Sequence, residues 1–142
     1  MEFGASLTEA LNVFSEASPD TRILIVSHLG RPATFAEAVS GNESARSGFI
    51  GDGPCDFFDP ATGQLNEEHI SGLTAIIESY EAVQIQVCSG VPNCSTDRDA
   101  FSTYRDDIEG LVSGDWNHLS VIGHARAAET IWPTVAQLLG LE

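Results

Sequence analysis

Apolar residues recur at i, i+3, i+4 and i+7 in three stretches of this chain, and each stretch predicts an amphipathic helix. The first carries Leu7, Ala10, Leu11 and Phe14, with Ser6 and Glu9 at the spacing of a capping box. The second, behind Asn66 as an N-cap, carries Ile70, Leu73, Ile76, Ile77, Tyr80, Val83 and Val87 and is the longest periodic element. The third carries Ala125, Ala128, Trp132, Val135 and Leu139. Pro133 lies inside it and predicts a bend or a break, because its ring removes a backbone donor and crowds the preceding turn. A shorter helical pattern, Phe101, Tyr104, Ile108 and Leu111, precedes Gly114.

Between these stretches the pattern changes. Ser18-Pro19-Asp20 ends the first helix, and residues 22–27 (Arg-Ile-Leu-Ile-Val-Ser) read as a fully buried strand, since four apolar residues run without alternation. Residues 33–63 show no sustained period beyond a short helical stretch at 35–39 and predict a long excursion, which Phe57 and Phe58 should pack onto the rest of the molecule. Residues 88–99 read as turns, and a weaker strand pattern at 81–87 falls inside the second helix. Helix, turn and buried strand define an α/β class. A parallel sheet needs neighbours for each strand, so one confident strand in a single domain over residues 1–142 implies either further strands that the pattern does not mark or a domain present only in part.

Charge narrows the partners. Twenty-one carboxylates stand against six basic residues, a net charge of −15 that repels phosphate backbones and excludes nucleic acid as a partner. All six basic residues are arginine, which leaves no lysine for Schiff-base or P-loop chemistry. The acidic excess reads as solubility for an extracellular or salt-tolerant protein. No stretch is apolar enough to span a membrane, and the N-terminus has neither the basic nor the apolar region of a secretion signal. Cys88 and Cys94 enclose Ser-Gly-Val-Pro-Asn, a loop short enough for a local disulfide, which leaves Cys55 over. No His or further Cys lies near the pair to make it a metal site, and neither a metal nor a cofactor is expected.

Four histidines are candidates for chemistry. His69, beside Glu67 and Glu68, reads as a solvated surface residue. His28 follows Ser27 at the carboxyl end of the strand, where α/β sheets collect ligands, but neighbours on an extended chain point to opposite faces and cannot act on each other. His118 is the stronger candidate. Asp115 lies three residues before it, in a turn ahead of a helix, where a carboxylate can fold back onto Nδ1 and leave Nε2 outward as a base. The bland alternative has Asp115 capping a turn and His118 packing against Trp116 or Trp132.

The block Gly114-Asp115-Trp116-Asn117-His118-Leu119-Ser120-Val121-Ile122-Gly123-His124, running into Ile131-Trp132-Pro133, resembles the C-terminal block of the SGNH or GDSL hydrolases, especially secreted actinobacterial esterases. Residues 18–27 resemble that family's penultimate-strand region, and Cys55-Asp56-Phe57-Phe58-Asp59 resembles a segment of the same subgroup. The resemblance implies a flavodoxin-like three-layer fold, present as its C-terminal half, and a secreted serine esterase or lipase acting on small-molecule or lipid esters. It assigns His118 as general base and Asp115 as its orienting carboxylate, and gives His124 no catalytic role. The family's nucleophilic Gly-Asp-Ser block is not matched: Gly51-Asp52-Gly53 has glycine where the serine belongs, and Ser40-Gly41-Asn42-Glu43 does not restore the oxyanion donors. The nucleophile would come from an N-terminal half. The rival expectations are a non-catalytic interaction module on the same scaffold, an inactive fragment, or an α/β domain in which Asp115 and His118 are structural.

Overall fold

A computed structural model describes residues 2–105 and 108–141. In chain order the elements are α1 (Glu2–Ala17), β1 (Ile23–Ile25), α2 (Pro32–Val39), α3 (Glu43–Gly48), α4 (Glu67–Ser89), β2 (Cys94–Thr96), α5 (Ile108–Leu111) and α6 (Val121–Leu139). The molecule is of α/β class, with helices around a two-stranded parallel sheet in which Ile23, Leu24 and Ile25 pair with Cys94, Ser95 and Thr96.

The three periodic helices form where the apolar spacing places them. α1 begins at Glu2, so Ser6 and Glu9 lie inside the helix and do not cap it. Asn66 does cap α4, its side chain accepting the His69 amide at 3.1 Å. Ser120 caps α6 in the same way through the Gly123 amide at 3.0 Å. α6 runs through Pro133 without a break and closes on Gly140, whose φ of 68° is the left-handed conformation that a helix terminus favours and glycine adopts freely. The pattern at 101–111 yields only the last turn, α5; Asp106 and Asp107 lie outside the described residues.

The strands depart further from expectation. β1 is shorter than residues 22–27 and half-buried, with Val26 exposed, because only one strand flanks it among the described residues. β2 falls in the stretch read as turns. Its Cys-Ser-Thr sequence has no apolar run, and long-range constraints hold it. Asn93 receives the Ile23 amide on its carbonyl at 2.8 Å, and its side chain donates to the Thr21 carbonyl at 2.7 Å. The Cys88–Cys94 disulfide, with Cα atoms 5.3 Å apart, ties the end of α4 to the start of β2. Cys55 is a free, exposed thiol. Reduction should release β2 from α4 and lower stability by about 2 kcal/mol, the loop-closure value for a short ring, measured as a fall in the urea midpoint with and without reductant.

The best-packed core sits on the excursion, away from the sheet. Phe57 and Phe58 are buried with Ala36, Val39, Ala45 and Ile70, and Phe35, Phe49, Leu65, Leu73 and Trp116 close over them. Phe35, Phe49 and Phe57 form a ring cluster with centroids 5.3–5.8 Å apart, the offset and edge contacts that aromatic quadrupoles favour. Phe58 bridges to both Ile50 and Leu65, which stitches the excursion into a local fold. His69 takes part: half-buried, its Nδ1 lies 3.1 Å from the Asp56 carbonyl oxygen, which corrects its reading as a solvated residue.

A second, polar anchor crosses the molecule. Glu81, buried in the middle of α4, accepts from Arg31 at 2.6 Å and from the His28 amide at 2.9 Å. Its two oxygens fix the connection from β1 to α2 against α4 with charge-assisted bonds. Gly72, by contrast, faces open space within α4. Gly72→Ala removes backbone freedom from the unfolded chain at no steric cost and should raise stability by about 0.5–1 kcal/mol in a denaturant titration.

A candidate acid-base pair

Residues 112–119 form a closed loop between α5 and α6. Val112 and Leu119 bridge in antiparallel fashion, and the Ser113 amide donates to the His118 carbonyl at 2.7 Å. Trp116 sits at the tip with φ of 58°, a left-handed backbone that bulky residues seldom adopt. Two contacts hold it there: its amide donates to the Ser113 carbonyl at 3.0 Å, and its side chain packs against the buried core that holds Phe57, Phe58 and Ile70. That core thus anchors the loop.

Within the loop the Asp115 carboxylate does two jobs with two oxygens. Oδ1 accepts the Ser113 hydroxyl at 2.5 Å and the Asn117 and His118 amides at 3.0 Å each, which folds the turn. Oδ2 lies 2.7 Å from His118 Nδ1. The ring is therefore oriented by the carboxylate, with Nδ1 donating and the Nε2 lone pair left over. It does not pack against Trp116 or Trp132: the His118 side chain is 76 % exposed. Among the described residues no hydroxyl is bonded to His118 Nε2.

The Ser113 hydroxyl, then the His118 amide, the His118 ring and the Asn117 amide hold the Asp115 carboxyl well below the usual carboxylate range. A folded pKa below the unfolded one, which is about 3.9, contributes stability above that value, lost as pH falls through the folded pKa. The amide resonances of Asn117 and His118 should therefore hold their positions through pH 4 and move only under stronger acid. An NMR titration checks this, and in Asp115→Ala that late transition should vanish.

The other candidates are placed elsewhere. Ser27 stands at the end of β1, where its hydroxyl donates to Asp97 Oδ2 at 2.7 Å and accepts the Ser102 amide at 3.0 Å. Asp97 is buried and also accepts the Phe101 amide at 3.1 Å, so this cluster closes the carboxyl end of the sheet and ties up the Ser27 oxygen. The His28 side chain is exposed beside it, with its backbone amide on Glu81. His124 is exposed on the first turn of α6. Among the described residues no group of three His, Cys, Asp or Glu side chains could hold a metal, and no described helix is long and apolar enough to cross a membrane. Sequence reasoning missed Ser113, whose hydroxyl is one of four donors to Asp115, and the anchoring by Trp116. A serine two residues before the aspartate and an aromatic one residue after it were the available signals.

No protein family matches this chain, and neither a curated protein nor a solved structure matches it.

Proposed function

We propose that this chain carries the general-base half of a serine-type carboxylic ester hydrolase, with His118 as base and Asp115 as its orienting carboxylate. The observation that carries the reading is the 2.7 Å contact from Asp115 to Nδ1 of an exposed ring, which leaves Nε2 open to a hydroxyl. The resemblance of residues 114–124 to the SGNH block supplies the reaction class. Chemically, the hydroxyl of a serine gives its proton to Nε2 as its oxygen attacks the ester carbonyl. Asp115 stabilises the imidazolium that forms, and the proton then passes to the departing alkoxide.

The serine and the oxyanion donors come from another stretch of polypeptide. In this reading β1 and β2 belong to a larger three-layer, flavodoxin-like sheet. Two observations support that: the sheet has two half-buried strands among the described residues, and Val121, Ile122, Trp132 and Leu139 are exposed along α6. The same apolar residues favour a second reading, an interaction module that buries this face against a partner without chemistry. The disulfide fits an oxidising, extracellular setting, and the substrate class is a small-molecule or lipid ester.

The direct test is hydrolysis of p-nitrophenyl butyrate by the chain alone. Turnover should not exceed that of its exposed imidazoles at equal concentration. Vigorous turnover that His118→Ala abolishes would locate a nucleophile inside residues 1–142, with Ser27 the first to substitute, and would overturn the divided site.

A further inference from the structure

The six arginines divide into two groups. Arg31 pairs with Glu81, Arg126 pairs with Glu129, Arg46 donates to the Gly63 carbonyl and lies over the Phe58 ring, and Arg105 donates to Thr34. Among the described residues, the guanidinium groups of Arg22 and Arg98 have no protein acceptor. Both line the same cavity. It holds about 340 Å³ between the sheet and α6, and Ser95, Thr96, Thr134, Gln137 and Leu138 complete its wall.

Three features make this a site and not a gap. The chain has 21 acidic and six basic residues, yet both charged residues on this wall are cations. The Ser95 and Thr134 hydroxyls and the Gln137 amide also lack protein partners among the described residues, so the donors around the cavity are uncommitted. Arg98 and Asp99 are consecutive residues in left-handed backbone, with φ of 53° and 63°, one residue beyond the end of β2. Consecutive non-glycine residues in that region hold a conformation the chain avoids without compensation, and here it sets Arg98 at the carboxyl end of the strand.

We propose that this cavity binds a small molecule bearing two oxyanion charges, as a dicarboxylate or a phosphate. Planar guanidinium forks recognise either group through paired N–H bonds, and the hydroxyls and amide supply further donors. Its volume lies in the range of small-ligand pockets. The rise of α6 from Ser120 to Thr134 sets it roughly 20 Å from the Asp115–His118 loop, so it is separate from the ester site and does not depend on that assignment.

Calorimetric titration of the chain with inorganic phosphate and, separately, with succinate at constant ionic strength tests this. At least one should give saturable heat, and which one does identifies the oxyanion class. Arg22→Gln and Arg98→Gln should each weaken binding by about tenfold, a loss of charge-assisted bonds. Neither guanidinium has a protein partner among the described residues, so both variants should keep the wild-type circular dichroism. Arg126→Gln, which changes net charge equally but lies off the cavity, should leave affinity unchanged. Heat with neither anion, full affinity in either cavity variant, or equal weakening in Arg126→Gln would overturn the proposal.

Discussion

Gly123→Ala should cost this chain about 3 kcal/mol and lower its Tm by roughly 10 °C, although alanine is ordinarily the better helix residue. A Cβ built on Gly123 would lie 2.1 Å from the Leu111 carbonyl oxygen, 3.0 Å from its carbon and 3.1 Å from Leu119 Cδ2. The first two are backbone atoms and cannot rotate aside. The Leu111 carbonyl is further committed to the Ser120 amide at 2.8 Å, and Leu111 itself is buried. The first turn of α6 must therefore retreat from α5, and the Ser120 cap and the Val112–Leu119 bridge move with it. Two measurements follow from one variant. Thermal unfolding should show the loss of stability, and the Asn117 and His118 amide resonances should shift because their loop is closed by the displaced turn. Gly72→Ala, with the opposite sign, is the internal control. An unchanged Tm in Gly123→Ala would mean that α6 does not seat on α5 as described.

That contact explains why parts of the fold were legible in sequence and parts were not. α1, α4 and α6 follow from 3.6-residue spacing, a local property, and the Asn66 cap from its place just ahead of the α4 pattern. β2 was hidden because nothing in Cys-Ser-Thr demands a strand; its place comes from β1, some 70 residues earlier, and from a disulfide. The core was partly hidden for a similar reason. Phe57 and Phe58 announced that the excursion packs, but α2 and α3 are too short to show a sustained period from which to read that Ala36 and Ala45 meet Ile70 there.

The candidate site divides along the same line. The Asp115–His118 contact spans three residues, so turn chemistry alone brings the groups together, and the spacing could be read directly. The left-handed Trp116 and its seat against the buried core depend on tertiary packing. The cavity at Arg22 and Arg98 draws on the residue before β1, on β2, the loop after it and the second half of α6. No window of sequence contains it, and only the composition, six arginines in a strongly acidic chain, hinted that each arginine has a reason for its position.

If a longer polypeptide completes the proposed hydrolase, His118→Ala in it should lower kcat for a p-nitrophenyl ester by about five to six orders of magnitude, and Asp115→Asn by about four. The difference between the two arises from the carboxylate's divided role. An asparagine at 115 can keep one oxygen on the Ser113 hydroxyl and the Asn117 and His118 amides, so the loop should stay folded. The atom facing Nδ1 then becomes an amide nitrogen, a donor where an acceptor is needed, and the imidazole presents its N–H to the serine when it should present its lone pair. A fluorophosphonate probe, which traps an activated serine, should label a residue outside 1–142 and lose that labelling rate in parallel with kcat. KM should change little, because neither group binds the ground-state ester. If His118→Ala leaves both turnover and labelling intact while the loop resonances show a folded 112–119 segment, the pair is structural. The exposed face of α6, as an interaction surface, and the cavity at Arg22 and Arg98 would then be the chain's remaining claims to function.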